Sequence, residues 1–157
     1  LAAGKHALVD KPFASAEDVG RLVEAAEGKG LVFMDGTHFV HSLRMARMAA
    51  TCREDPRVGK IQKIVACFTY PLADRANIRF DPNLEPHGAI GDLGWYCVKF
   101  AQAILGPSAR PISAFCRAAD DSLANAAGIV TFRTPDGVDV DLVFDCGFGA
   151  GLRQRAE

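Results

Sequence analysis

Apolar residues fall in short blocks along this chain, and the spacing within each block predicts the element it forms. His6 to Val9 reads as a buried strand. Ser15, followed by Glu17 and Asp18, marks a helix start, and Val19, Leu22, Val23 and Ala26 then recur at helical spacing. Gly28 and Gly30 stop that helix, and Leu31 to Met34 forms the next strand. A strand, a helix and a strand joined by short connections predict a parallel βαβ unit.

Beyond Asp35-Gly36 the pattern changes. Phe39 to Thr51 reads as a helix carrying Leu43, Met45, Ala46 and Met48, and Lys60 to Tyr70 as a strand with Ile61, Ile64, Ala66 and Phe68. Pro71 to Pro86 is a polar loop, of the length that usually serves function or motion. Gly88 to Leu105 is a second long helix closed by Gly106-Pro107. Ile112 to Ala118 and Gly128 to Arg133 are strands. A turn at Pro135-Asp136-Gly137 then leads into Val138 to Phe144, where apolar and acidic residues alternate and leave one sheet face solvated. The expected fold class is α+β: the tail of a Rossmann-type α/β domain in residues 1–36, then a helix-backed, largely antiparallel open-sheet domain in 37–157. The last residues show no closing element, so this second domain reads as incomplete at its C-terminus.

Composition narrows the function classes. The 157 residues are 49% hydrophobic and 24% charged, as in a globular domain with a real core. A formal net charge of -1 gives no electrostatic reason for a nucleic-acid partner. The apolar runs are too short to span a bilayer, so no membrane partner is expected. The five cysteines form no C-x-x-C pair and mostly sit in apolar runs, where a free thiol acts as a small hydrophobe. A reducing, cytoplasmic setting is the expectation. The chain starts at Leu1 in strand-like sequence with no signal-peptide pattern, and it reads as an internal fragment of a longer protein.

The candidate chemistry gathers in Gly88-Ala-Ile-Gly-Asp-Leu-Gly-Trp-Tyr96. Asp92 and Tyr96 are four apart and would share a face on the first turns of a helix, where a phenol beside charged groups is a usable general acid/base. A helix-start carboxylate and a core phenol fit the same residues. Lys11 precedes Pro12, which disfavours helix and sets an extended tip at the carboxyl end of a strand, where open α/β sheets bind ligands; a solvated lysine is the alternative. Asn77, Arg79, His87 and Trp95 are candidate substrate contacts, although Arg79 could instead pair with a nearby acid and His87 could serve as a cap. His38 and His41 are three apart, but no third ligand has suitable spacing, so no metal site is expected.

Two of these segments carry a family resemblance. Gly4-Lys-His-Ala-Leu-Val-Asp-Lys-Pro12 resembles the G-K-H-V-x-x-E-K-P segment of the Gfo/Idh/MocA oxidoreductases, with Asp10 in place of the usual Glu. Gly91-Asp-Leu-Gly-Trp-Tyr96 resembles that family's G-D-x-G-x-[HY] helix, in the tyrosine form of the glucose–fructose oxidoreductase and dihydrodiol/xylose dehydrogenase branch. Met34 to Thr37 and Asn77 to Arg79 are similar to relatives in the same branch. The resemblance covers nearly the whole chain in order.

The resemblance implies hydride transfer between a nicotinamide cofactor, NADP or NAD, and a sugar- or diol-like hydroxyl carbon. It implies Tyr96 as the acid/base and Lys11 as the cation that favours its phenolate and hydrogen-bonds the reacting oxygen. Asp92 would orient substrate or lysine, and Asp10, Lys11 and Pro12 would border the cofactor. A free tyrosine titrates near pH ~10, and each unit of lowering corresponds to about 1.36 kcal/mol. The family's G-x-G-x-x-G turn is absent. Gly147-Phe-Gly-Ala-Gly151 does not replace it, having the wrong spacing after an unrelated strand. The resemblance also implies a homo-oligomer formed through the open sheet. A non-catalytic sugar-binding or regulatory relative, and an inactive truncated fragment, remain the alternatives.

Overall fold

The computed structural model describes residues 1–118 and 124–157. They form two compact units, Leu1–His38 and Phe39–Glu157. Mixed helix and sheet is the fold class expected from the sequence.

The first unit is the βαβ element. β1 (Ala7–Val9) and β2 (Phe33–Asp35) pair in parallel, with Leu8 opposite Met34, and α1 (Ala16–Glu27) connects them. α1 begins where Ser15 Oγ accepts from the Asp18 N–H at 3.1 Å, and Glu17 and Asp18 sit in the first turn, where the helix dipole favours acids. It ends at a turn in which Gly30 takes a φ of 62°, open to glycine at little cost.

In the second unit α3 (Trp95–Leu105) lies on one face of a five-stranded sheet, and α2 (Leu43–Glu54) packs against α3. The strands are β3 (Lys63–Thr69), β4 (Arg110–Ala118), β5 (Asn125–Arg133), β6 (Asp139–Gly147) and β7 (Arg153–Ala156), in the order β4-β5-β6-β3-β7. β4, β5 and β6 run antiparallel in succession, β3 lies parallel to β6, and β7 is antiparallel to β3. Alternation along the central strands builds the core. Ile64 and Ala66, Val130 and Phe132, and Val140, Leu142, Phe144 and Cys146 pack with Met45, Ala49, Leu93, Cys97, Ala101 and Ile104. No helix among the described residues is long and apolar enough to cross a membrane.

Three expectations need correction. The helix expected from Phe39 begins at Leu43, because Ser42 Oγ accepts from the Met45 N–H at 3.2 Å and caps it there; His38–His41 form a separate 3-10 turn. The helical span from Gly88 to Leu105 is not α-helix at its start, since Ile90–Gly94 form a π turn. Residues 151–157, in which no element was expected, contain β7, whose four residues are all exposed and so carry no alternation to read. Its place is set by main-chain pairing, with Arg153 opposite Thr69 and Ala156 opposite Ala66.

Cys97 and Cys146 lie in the core, Cys52 and Cys67 are half-buried, and Cys116 is exposed; all five are free thiols. Burial pushes the Cys97 and Cys146 thiols up to about 12, so both act as small apolar side chains.

Close packing at Gly128 can be tested. A Cβ there would fall on the Phe115 carbonyl oxygen and 2.8 Å from Cε1 of Phe144. The obstruction on one side is backbone and cannot swing away. Gly128→Ala is expected to destabilise the protein by about 1–3 kcal/mol, as overpacking does. Urea unfolding followed by circular dichroism reads this as a lower midpoint at unchanged slope, and an unchanged midpoint contradicts it.

Candidate active site

The motif segment begins at Gly88, whose φ of 48° suits glycine. The Gly91 N–H donates to the His87 carbonyl at 3.1 Å, and the Trp95 N–H reaches back to the Ile90 carbonyl to close the wide turn. Gly91 and Gly94 are poor α-helix formers, and Gly94 faces β6, where a Cβ would stand 3.4 Å from Cys146 Sγ and 3.7 Å from the Phe144 ring, ordinary contact distances. The turn thus rests directly on the sheet, and single π turns of this kind are frequent at functional sites.

Asp92 lies inside the π turn and is buried. Arg79 Nε donates to Asp92 Oδ2 at 2.6 Å. This charge-assisted bond joins the 71–86 loop to the turn. Asn77 orients the arginine: its Oδ1 accepts from the Arg79 backbone N–H at 3.2 Å and from Nη1 at 3.4 Å. The hydrogen bond it donates to Asp92 raises the Arg79 guanidinium above its usual value, against desolvation, with the charges of Asp92, Tyr70 and Glu85 adding to the rise.

Tyr70 and Glu85 were not among the residues singled out from the sequence. Burial raises the Tyr70 phenol, the Arg79 charge opposes that shift, and the Asp92 charge adds to it. Its ring packs edge-on against Phe148 at 5.5 Å. Nothing in a lone tyrosine after a strand, or in one acid of a polar loop, distinguishes either residue along the sequence.

Tyr96 is the second residue of α3. Its half-buried ring stands 5.3 Å from that of Phe68 on β3 and 5.9 Å from that of Phe39. Trp95 is half-buried at the junction of the π turn and α3. His87 serves the motif through its carbonyl, on the residue before Gly88. The second unit therefore unites Asn77, Arg79 and Asp92 in one hydrogen-bonded cluster, and it seats Tyr96 between two aromatic rings. The sequence expectation that Asp92 and Tyr96 relate as neighbours on a regular α-helix is corrected by the π turn between them.

Asp10, Lys11 and Pro12 belong to the first unit, directly after β1. The Lys11 N–H donates to Asp10 Oδ1 at 3.0 Å, and the Lys11–Pro12 bond is cis. Gly36, after β2, approaches the same carboxylate: a Cβ there would lie 3.5 Å from Asp10 Oδ1. The connection from β1 to α1 contains no glycine, so it does not form the main-chain cradle that a dinucleotide pyrophosphate needs. The carboxyl ends of β1 and β2 are nonetheless the edge at which open α/β sheets take ligands. Among the described residues no group of three or more His, Cys, Asp or Glu is placed to hold a metal ion.

The second unit is thus a helix-backed mixed sheet on which a π turn carries Asp92 and leads into Tyr96 at the start of α3. The chain belongs to the Gfo/Idh/MocA family, whose C-terminal domain model matches residues 46–157. It is 31% identical over 148 residues to a dTDP-3,4-didehydro-2,6-dideoxy-alpha-D-glucose 3-reductase of Streptomyces antibioticus, covering 92% of this chain and 44% of that one. Identity is 33% over 158 residues to the Streptomyces violaceoruber enzyme of the same name, covering 98% of this chain and 45% of the relative. Among solved structures, the 3-ketoreductase KijD10 of Actinomadura kijaniata, in complex with NADP and TDP-benzene, superposes with a TM-score of 0.76 at 27% identity; the match covers 99% of this chain and 47% of that one. An inositol dehydrogenase homologue from Azotobacter vinelandii, complexed with NAD+, shares the fold with a TM-score of 0.80 at 20% identity, over 98% of this chain and 42% of its own. The chain thus spans less than half the length of these relatives.

The weight of the Arg79–Asp92 bond is measurable by a double-mutant cycle on Arg79→Gln and Asp92→Asn. The arginine side chain is 35% exposed and that of the aspartate 9%, so solvent screens the pair only in part. A coupling of about 1–3 kcal/mol is expected in urea unfolding. Additive effects of the two substitutions would reduce the pair to a surface contact.

Proposed function

We propose that the full-length protein transfers a hydride between a nicotinamide cofactor and a hydroxyl-bearing carbon of a sugar- or diol-like substrate. Residues 1–36 are the tail of the dinucleotide-binding domain in this reading, and 37–157 are the substrate and oligomerisation domain. The observation that carries it is the π turn that holds Asp92 on Arg79 and leads directly into Tyr96. Family membership adds the reaction class: the curated relatives are named as sugar 3-reductases, and the neighbours are complexed with NADP or NAD.

Tyr96 is assigned the proton. In the direction of oxidation its phenolate takes the hydroxyl proton, and in reduction the phenol returns it to the carbonyl oxygen. The nicotinamide supplies the hydride acceptor or donor when bound. Lys11 is assigned the cation that favours the phenolate and donates to the reacting oxygen, on the strength of the family motif and its place after β1. Asp10 and Pro12 share the cofactor edge with it. Asp92 orients the reacting groups, while Asn77, Arg79, His87 and Trp95 border the substrate. The phosphate-binding glycines must come from residues other than these.

The experiment is Tyr96→Phe in the full-length protein, assayed by reduced-nicotinamide absorbance over a panel of sugars and polyols. The ring and its packing on Phe39 and Phe68 are kept, so the thermal midpoint should hold. Turnover should fall by roughly 10²–10⁴, the usual contribution of one general acid/base, and the pH–rate profile should lose a limb. Full activity with an unchanged profile makes Tyr96 a packing residue and ends this mechanism.

We also propose that the protein is a homo-oligomer paired through the open sheet face. A row of apolar side chains crosses four strands there, Phe115 opposite Ile129, Ile129 opposite Val143, and Val143 opposite Val65. Phe115 is 69% exposed, and Val65 and Ile129 are each more than a third exposed. Arg117, Asp145 and Arg155 lie on one flank and Asp141 and Lys63 on the other, the apolar-centre, polar-rim arrangement of a protein interface. Light scattering should give a dimer or larger for the parent. Ile129→Glu should weaken association by at least about tenfold without lowering the thermal midpoint. A monomeric parent, or a variant that assembles normally, contradicts the proposal.

A further inference from the structure

Tyr96 stands at the least regular point of its helix, in the first turn after the π turn. On an α-helix a side chain lies over the turn before it, and here that turn is the wide one. The ring takes its support from two other elements instead. Phe68 of β3 meets it edge-on, with ring centres 5.3 Å apart and planes at 69°. Phe39 meets it at 5.9 Å and 38°.

Both supports stand on fixed main chain. Phe68 is paired on either side, opposite Cys146 of β6 and Gln154 of β7. Phe39 lies in the 3-10 turn His38–His41, and its carbonyl accepts at 3.1 Å from the N–H of Ser42, the residue that caps α2. Neither ring is simple core filling. Phe132, Phe144 and Phe148 are buried in the core, whereas Phe68 and Phe39 are half-buried. A contact between two aromatic rings has preferred angles, and an aliphatic contact does not. Exchanging Phe68 for an aliphatic residue therefore keeps apolar cover over Tyr96 and removes its direction.

We propose that Phe68 is a positioning residue for the proton transfer: with Phe39 it holds the Tyr96 ring in the orientation that presents the phenol to the reacting oxygen. This rests on the proposed function for the proton that Tyr96 carries, but not for the hold on the ring. Geometry of this kind is held by the packing of neighbouring side chains, and a misplacement of about 1 Å can cost ~10²-fold in rate.

The test uses the full-length protein with NADP or NAD and the probes D-glucose, dTDP-D-glucose and myo-inositol. Turnover is read by nicotinamide absorbance. Motion of the Tyr96 ring is read by 13C relaxation, with its signal assigned by loss in Tyr96→Phe. Phe68→Leu should lower kcat roughly 10–100-fold while KM stays within about twofold, and it should loosen the ring. Phe68→Tyr keeps an aromatic ring and should hold kcat within about threefold of the parent. In the Tyr96→Phe background, Phe68→Leu should cost nothing further, because residues that act as a unit are not additive. Where Phe68→Leu does not fold, Phe39→Leu removes the opposite support and should give the same pattern. An unchanged kcat, an equal loss in the Tyr96→Phe background, a rise in KM alone, or an unchanged ring motion overturns the inference. A parent protein that turns over none of the probes ends the hydride-transfer reading, and ring motion alone then decides whether Phe68 holds Tyr96.

Discussion

Arg79 Nε stands 2.6 Å from a buried oxygen of Asp92, and the architecture of the candidate site hangs on that bond. One partner is on a loop that has no regular structure beyond the single 3-10 turn of Ile78–Phe80; the other is inside a π turn pressed against the sheet. A long polar loop has little apolar surface with which to anchor itself. Here a charge-assisted bond does the anchoring, with Asn77 holding the guanidinium and Arg75 stacked over Phe80 at 4.7 Å from the ring centre. The bond also gives a buried carboxylate a cation, without which burying it would be costly. Loop position and carboxylate burial are therefore one constraint, and the charges of Tyr70 and Glu85 act on the same guanidinium.

That constraint needs a turn close to the sheet, and at Gly94 the turn meets Cys146 and Phe144 of β6 at van der Waals distance. An α-helical start would place the carboxylate differently with respect to the loop. The wide turn costs local regularity, and Cys97, Ala101 and Ile104 of α3 recover burial against the core directly afterwards. Consistency at the level of packing thus carries an irregular segment that propensity alone would not choose.

The sequence made some of this legible and not the rest, for physical reasons. α1 was readable because Ser15, Glu17 and Asp18 are local signals and the apolar spacing is regular; the cap is formed as those residues indicate. β5 and β6 were readable because a half-buried strand must alternate. β7 was not, since an exposed edge strand is fixed by main-chain bonds to β3 and has no side-chain pattern. The π turn was hidden because its residues also fit an α-helix. Lys11, Asp92 and Tyr96 stood out through their motifs. Arg79 stood out with two roles open, and its bond to Asp92 shows that it pairs with an acid. Tyr70 and Glu85 were missed because their relation to Arg79 is tertiary: no spacing along the chain encodes it.

The position of the loop is in turn a consequence of strand register. The Asn125 side chain packs over Gly147 where a Cβ would displace it, and Asn125 Oδ1 accepts from the Gly149 N–H at 3.1 Å. This pins the end of β6 to the start of β5. The Gly147 carbonyl then accepts from the Tyr70 N–H at 3.0 Å, and the Phe148 carbonyl from the Leu72 N–H, also at 3.0 Å. The loop therefore leaves β3 along a path set by the last residues of β6. A slip of β3 by one residue against β6 would exchange its two faces, sending Val65 into the core and Ala66 outward. The glycines and the asparagine at this corner thus act at a distance on Arg79: they fix the register, the register fixes where the loop starts, and the loop delivers the guanidinium to Asp92.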